Sequence, residues 1–257
     1  MLIYMDLFFV IIFGLMVGSF LNVCIYRMPR EESIVHPRSH CQKCNHQLPF
    51  WENIPVLSFL FLRGRCSSCK TPISFRYIFV ELLTALLFIL LYNQYGLSLD
   101  TLIFIFFCCV ILIITFIDID YQIIPNQLLL IGVIPAVYQI IRIGFQNSSS
   151  YFIGAVGLGT GILLIGLMGN ILFKKESMGM GDVKYAVLIG LLLGWQNGLV
   201  AISLAFLSAG FLILVLFPFG KISFGQRIPF GPFLSLGTII AMLWGPIIIS
   251  TYLQLMF

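Results

Sequence analysis

Residues 101–117 are seventeen consecutive positions without a charge, and as a helix they rise about 25 Å, close to the thickness of a bilayer's hydrocarbon core. Two carboxylates follow at once, in Ile117-Asp118-Ile119-Asp120. An acid at the centre of a lipid-embedded helix costs roughly 3 kcal/mol, so acids near such positions usually do chemistry or transport. Residues two apart on a helix point about 200° from each other, so Asp118 and Asp120 cannot both face one site. Asp118 lies deeper and is the stronger candidate, while Asp120 reads as a solvated interfacial acid. A partner for Asp118 must come from elsewhere in the chain.

The surroundings support a membrane. The 257 residues are 60% hydrophobic and 9% charged, with mean hydropathy +1.06, which excludes an ordinary soluble domain. The expected architecture is an all-α polytopic membrane protein with about eight transmembrane helices. These fall near residues 5–26, 76–95, 101–119, 125–145, 151–173, 182–195, 199–219 and 229–253. The first is apolar and followed by Arg27 and Arg30 with no small-residue cleavage site, so it reads as a helix and not a removed signal. It carries Gly14-x-x-x-Gly18-Ser19, a face for close helix packing. The organisation expected is 1–27 as a first helix, 28–75 as a polar loop domain and 76–257 as an intramembrane core.

Charge orients the chain. With the N-terminus outside, the cytoplasmic side receives every Lys and Arg except Arg142, as the positive-inside rule requires. Asn22, Glu81, Asp118, Asp120, Asp182 and Lys184 then all fall at cytoplasmic helix ends.

Asp182 supplies the second acid. It follows Gly179-Met180-Gly181 and opens a helix. Glycine permits sharp turns and close approach, and a helix N-terminus favours a carboxylate. A simple capping role is the alternative. Two acids at one site share a proton, and such a pair can hydrolyse a peptide without a covalent intermediate. Asp182, at its helix N-terminus, is expected to be the more readily ionised partner.

The polar loop holds Cys41-x-x-Cys44 and Cys66-x-x-Cys69. Two such pairs can close a tetrahedral zinc site from two knuckles, giving a small zinc-ribbon-like domain, and a reducing compartment favours metal over disulfides. A redox pair or unmetallated thiols are the alternatives. His36, His40 and His46 read as surface loop residues, and Cys24, Cys108 and Cys109 as small core residues.

Taken together, these stretches resemble the bacterial type IV prepilin peptidases, the bifunctional leader peptidase and N-methyltransferase family. The matching residues are Gly18-Ser19-Phe20-Leu21-Asn22-Val23 with Tyr26-Arg27, Trp51-Glu52-Asn53-Ile54-Pro55, Cys66-Ser67-Ser68-Cys69 and Val80-Glu81-Leu82 with Thr84-Ala85. Further on come Ile117-Asp118-Ile119-Asp120 with Ile124-Pro125, then Met178-Gly179-Met180-Gly181-Asp182 with Lys184, and Ile228-Pro229-Phe230-Gly231-Pro232. The match spans essentially the whole chain, except that the segment from Pro29 to Cys41 is shorter than in longer members.

The resemblance implies that Asp118 and Asp182 are the catalytic pair, with Gly179, Gly181, Glu81 and Lys184 in support. It implies cleavage of a short basic leader from type IV prepilins or type II secretion pseudopilins, in the bacterial cytoplasmic (inner) membrane. It further implies methylation of the new N-terminus by S-adenosylmethionine, because members lacking the cysteine domain generally only cleave. The expected partners are those substrates and the lipid bilayer, with no nucleic acid. Glu81 and Glu52 are candidates to attract the leader, and pairing of Glu81 with Arg76 or Lys184 is the alternative. No glycine-rich dinucleotide loop marks a donor site. A proton transporter, a thiol oxidoreductase and a structural protein are the other classes considered. Acids gathered at one face disfavour the first, and cytoplasmic thiols the second.

Overall fold

The structure is a computed structural model that describes residues 2–174, 178–220 and 226–256. Lys175 and Lys221, used in the charge reading, lie outside the described residues. The secondary structure is helical: α1 (Leu2–Arg27), the short α2 (Leu57–Phe61), α3 (Arg76–Tyr95), α4 (Leu99–Tyr121), α5 (Asn126–Ile143), α6 (Ser149–Phe173), α7 (Met180–Leu216) and α8 (Gly231–Met256). Among the described residues the only β pairing is two isolated bridges, His40–Gln47 and Arg65–Pro72. Among the described residues, seven helices are long and apolar enough to cross a membrane. The chain is a multi-pass membrane protein.

The sequence leads to eight spans, and α7 explains the difference. Its 37 residues would extend about 55 Å as one straight helix, nearly twice the hydrocarbon core. Gly194 interrupts it with φ 75° and ψ 176°, a backbone region that glycine reaches without strain. A Cβ placed on Gly198 would lie 3.7 Å from the Cα of Gly190, whereas residues eight apart on a straight helix are about 12 Å apart. The chain therefore doubles back at Gly194, and α7 supplies two apolar arms. With the other six long helices these make eight.

The chain forms two compact units, residues 1–113 and 114–257. In the first unit α1 packs along α3 through the glycine face seen in the sequence. A Cβ on Gly14 would fall 2.7 Å from the Cα of Ala85, and one on Gly18 2.7 Å from the Cα of Glu81, so only glycine lets these backbones approach so closely. Asn22 reinforces the contact by donating from Nδ2 to the Tyr77 carbonyl at 3.0 Å. On the other side of α1, Phe8, Phe9, Phe13, Met16 and Phe20 are exposed, which suits a surface that lipid covers. The loop from 28 to 75 is drawn in by Arg27, which is buried and donates to the carbonyls of Ser33 and Pro37 at 2.8 and 2.7 Å.

In the second unit the arms of α7 pack on α6 and α8. Fully buried Tyr185 shares a 2.9 Å hydroxyl hydrogen bond with Ser235, tying α7 to α8. The ends of α4, α7 and α8 that carry the acids and glycines of the sequence motifs belong to this unit.

Candidate active site

Asp118 sits three residues before the end of α4 and is 5% exposed. Its Oδ2 accepts a 2.8 Å hydrogen bond from the backbone N–H of Gly231. That donor exists because Gly231 is the first residue of α8, where N–H groups have no partner within the helix. Pro232 follows, and its missing N–H suits the first turn. The approach is close: a Cβ on Gly231 would lie 2.7 Å from Asp118 Oδ2. The sequence contains this motif but offers no role for it; 113 residues separate donor from acceptor.

Asp182 is the third residue of α7 and is half-buried. The capping reading is partly realised, since the N–H of Gly179 donates to Asp182 Oδ2 at 3.2 Å and the Asp182 N–H donates to the Gly179 carbonyl at 3.1 Å. The same carboxylate nevertheless faces a cavity of about 330 Å³ that Asp118 also lines. Gly181 lines it too, and its missing side chain leaves room for Ile124, whose Cβ would be 3.0 Å from an added Cβ. Lys184 is exposed at the rim and donates from Nζ to Asn126 Oδ1 at 2.9 Å. Asp120 is exposed and does not line the cavity. Each carboxylate lies at a helix N-terminus and accepts one backbone N–H.

The first unit holds a second site. Its two cysteine pairs form matching knuckles. Cys41 N–H donates to the His46 carbonyl and Cys66 N–H to the Thr71 carbonyl, both at 2.9 Å. Directly after each pair, Asn45 and Lys70 adopt positive φ of 55° and 57°. The four Sγ atoms lie within 4.8 Å of one another, with Cys41 to Cys69 at 3.7 Å and Cys44 to Cys66 at 3.9 Å. A tetrahedral zinc–thiolate site, with bonds of about 2.3 Å, places its sulfurs about 3.8 Å apart. The donor set therefore fits zinc in both type and spacing. The Thr71 hydroxyl and amide draw the Cys69 thiol down to about 6, and the amides of Cys44 and Lys43 lower that of Cys41. Against the pull of the His46 amide, burial and the neighbouring sulfurs push Cys44 up to about 11. Two of the four thiols are thus eased towards the thiolate a metal binds.

The histidines divide. His40 bonds the Arg38 carbonyl through Nδ1 at 3.0 Å. His46 is half-buried, with Nε2 at 3.5 Å from Glu52, which also accepts from the Ser67 hydroxyl at 2.9 Å. His46 is thus part of the loop's interior and not simply a surface residue. Glu81 is 7% exposed and accepts the Val56 N–H at 2.8 Å as well as the Ser19 hydroxyl. Neither of these partners is the cation that the sequence suggested for it. Above Glu81 opens a cavity of about 620 Å³, walled by α1, α3 and the cysteine loop.

Residues 12–95 match the model of the bacterial peptidase A24 N-terminal domain, and residues 105–214 that of the type IV leader peptidase family. The chain is 36% identical to the prepilin leader peptidase/N-methyltransferase of Aeromonas hydrophila, covering 95% of this chain and 92% of that protein. Proteins of the same name from Pseudomonas aeruginosa and Dichelobacter nodosus are each 33% identical, over 95% and 94% of this chain and 92% of each of those proteins. No solved structure matches it. Matches of this identity across nearly the whole of both chains show that the chain belongs to the type IV leader peptidase family.

Proposed function

We propose that this protein cleaves the short basic leader from type IV prepilins or type II secretion pseudopilins and N-methylates the residue exposed by the cut. The observation that carries the reading is the cavity shared by Asp118 and Asp182, each held by a backbone N–H through one oxygen. The other oxygen of each acid is left for water and substrate. Two carboxylates at one site share a proton. The ionised acid takes a proton from water as it attacks the scissile carbonyl, and the protonated acid donates to the carbonyl oxygen. The tetrahedral diol then collapses, and the departing amine receives a proton from the dyad. Because the two acids act as a unit, a pH–rate profile reports values for the pair.

The substrate fits the depth of this site. Asp118 and Asp182 lie at the ends of membrane-spanning helices, where a basic leader in the cytoplasm meets the apolar segment of a pilin. The basic residues favour an inner-membrane orientation with the N-terminus outside and the acids at the cytoplasmic face. Residues 28–75 then form a cytoplasmic domain in which Cys41, Cys44, Cys66 and Cys69 hold a structural zinc. S-adenosylmethionine supplies an electrophilic methyl group for the second reaction.

Prepilin cleavage in membranes carrying Asp118→Asn, Asp120→Asn and Asp182→Asn at matched expression tests the peptidase reading. Loss in the Asp118 and Asp182 variants with the Asp120 variant active supports it. Cleavage by all three refutes it and makes proton transport the next assay.

A further inference from the structure

The 620 Å³ cavity of the first unit contains neither Asp118 nor Asp182, and its floor is unusual. The Glu81 carboxylate there is almost fully buried, yet its partners are an amide N–H and a hydroxyl. The other acid of the cavity, Glu52, lies 3.5 Å from His46 Nε2 and accepts from the Ser67 hydroxyl. The nearby guanidiniums are engaged: Arg27 by the Ser33 and Pro37 carbonyls, and Arg30 over the Tyr26 ring at 3.8 Å. A carboxylate kept from water without a cation is costly, so the cavity is built to receive one.

We propose that this cavity binds S-adenosylmethionine, with the Glu81 carboxylate facing the donor's positive charge. The inference rests on the methyltransferase reading above and adds where the donor sits. Pockets of about 300–1,000 Å³ enclose ligands of this size, so the volume fits. The donor carries a sulfonium and an ammonium, which supply the missing counter-charge. Tyr77 in the wall adds a ring face suited to a cation, and Lys43 at the rim suits the donor's carboxylate. Cys41 and Cys66 belong to the same wall, so the metal site shapes the cavity. In the transfer, the lone pair of the processed chain's free α-amine forms a bond to the methyl carbon. The carbon–sulfur pair returns to sulfur, leaving neutral S-adenosylhomocysteine, and the extra ammonium proton passes to water.

The test measures equilibrium binding of radiolabelled S-adenosylmethionine to the purified full-length protein, with Glu81→Gln and Glu81→Asp beside it. Elution volume and zinc content report folding. Binding weakened at least about tenfold in Glu81→Gln, with a smaller loss in Glu81→Asp, is expected from removing one partner of a buried charge pair. Undiminished binding in a folded Glu81→Gln protein overturns the assignment. Should that variant not fold, photolabelling of the wild type with 8-azido-S-adenosylmethionine decides. Label within residues 19–27, 39–62 or 66–81 supports the site, and label confined elsewhere overturns it. A wild type that cleaves prepilin but neither binds the donor nor adds a methyl mass to the product refutes the methyltransferase reading itself.

Discussion

Each of the two units buries one carboxylate and gives it one backbone N–H at the same distance: Val56 to Glu81 at 2.8 Å in the first, Gly231 to Asp118 at 2.8 Å in the second. What differs is the company each acid keeps. Asp118 shares its cavity with Asp182, and two such acids hold one proton between them, which suits them to activating water. Glu81 shares its cavity with Glu52, but that acid is already engaged by Ser67 and His46. Glu81, held by the Val56 N–H and the Ser19 hydroxyl, has no second acid to share a proton with, which suits it to the proposed role of counter-charge. On the reading proposed above, the same hydrogen-bonded motif would serve hydrolysis in one setting and cation binding in the other.

The largest effect should come from removing either member of the pair. Asp118→Asn or Asp182→Asn is expected to lower prepilin cleavage at least about a hundredfold, the scale of a lost general acid or base, while S-adenosylmethionine binding persists. Loss of both activities together would break the distinction between the units. Zinc removal should act in the opposite sense. A chelator is expected to open the loop to proteases between residues 41 and 72 and to abolish donor binding, because short elements joined by two knuckles have little other core. Mass spectrometry of the fragments checks this, and an unchanged digestion pattern would show that the knuckles hold without metal.

Gly231→Ala probes the amide that holds Asp118. The added Cβ would overlap Oδ2 at 2.7 Å, so cleavage should fall roughly tenfold to a hundredfold through misplacement of the acid, with the protein still folded by its elution profile. At Gly194 the expected change is in stability. Alanine at φ 75° is strained and would meet Ser150 Oγ at 2.8 Å, costing on the order of 1 kcal/mol or more in a denaturation midpoint. Lys184→Met should be mildest. Its amine bonds Asn126 at the cavity rim, in the open, and a loss within about threefold in cleavage fits an exposed contact.

Much of this was legible before any coordinates. Helix three of the sequence reading, at 101–119, appears as Leu99–Tyr121, and the second helix has the bounds Arg76–Tyr95 in both. The Gly14/Gly18 face and the four-cysteine cluster also appear as expected, since each depends on spacing within one helix or one short loop. The doubling back of α7 was anticipated between Trp195 and Leu199 and falls at Gly194 instead. An apolar run has no periodic break to mark its turn; the positive φ there marks it in the structure. His46 was assigned to the surface because nothing local announces Glu52 beneath it.

By itself the sequence determined that this chain lives in a membrane, because hydropathy sums over residues without reference to the fold. It also determined the pairing of cysteines into knuckles, because two thiolates three positions apart are neighbours in any compact turn. Only the tertiary structure decided that Gly231 holds Asp118, that Val56 and Ser19 answer Glu81, and that a cavity stands above that acid. Those contacts join residues 25 to 113 positions apart, and a hydrogen bond at that separation exists only once helix packing has brought its donor and acceptor within 3 Å.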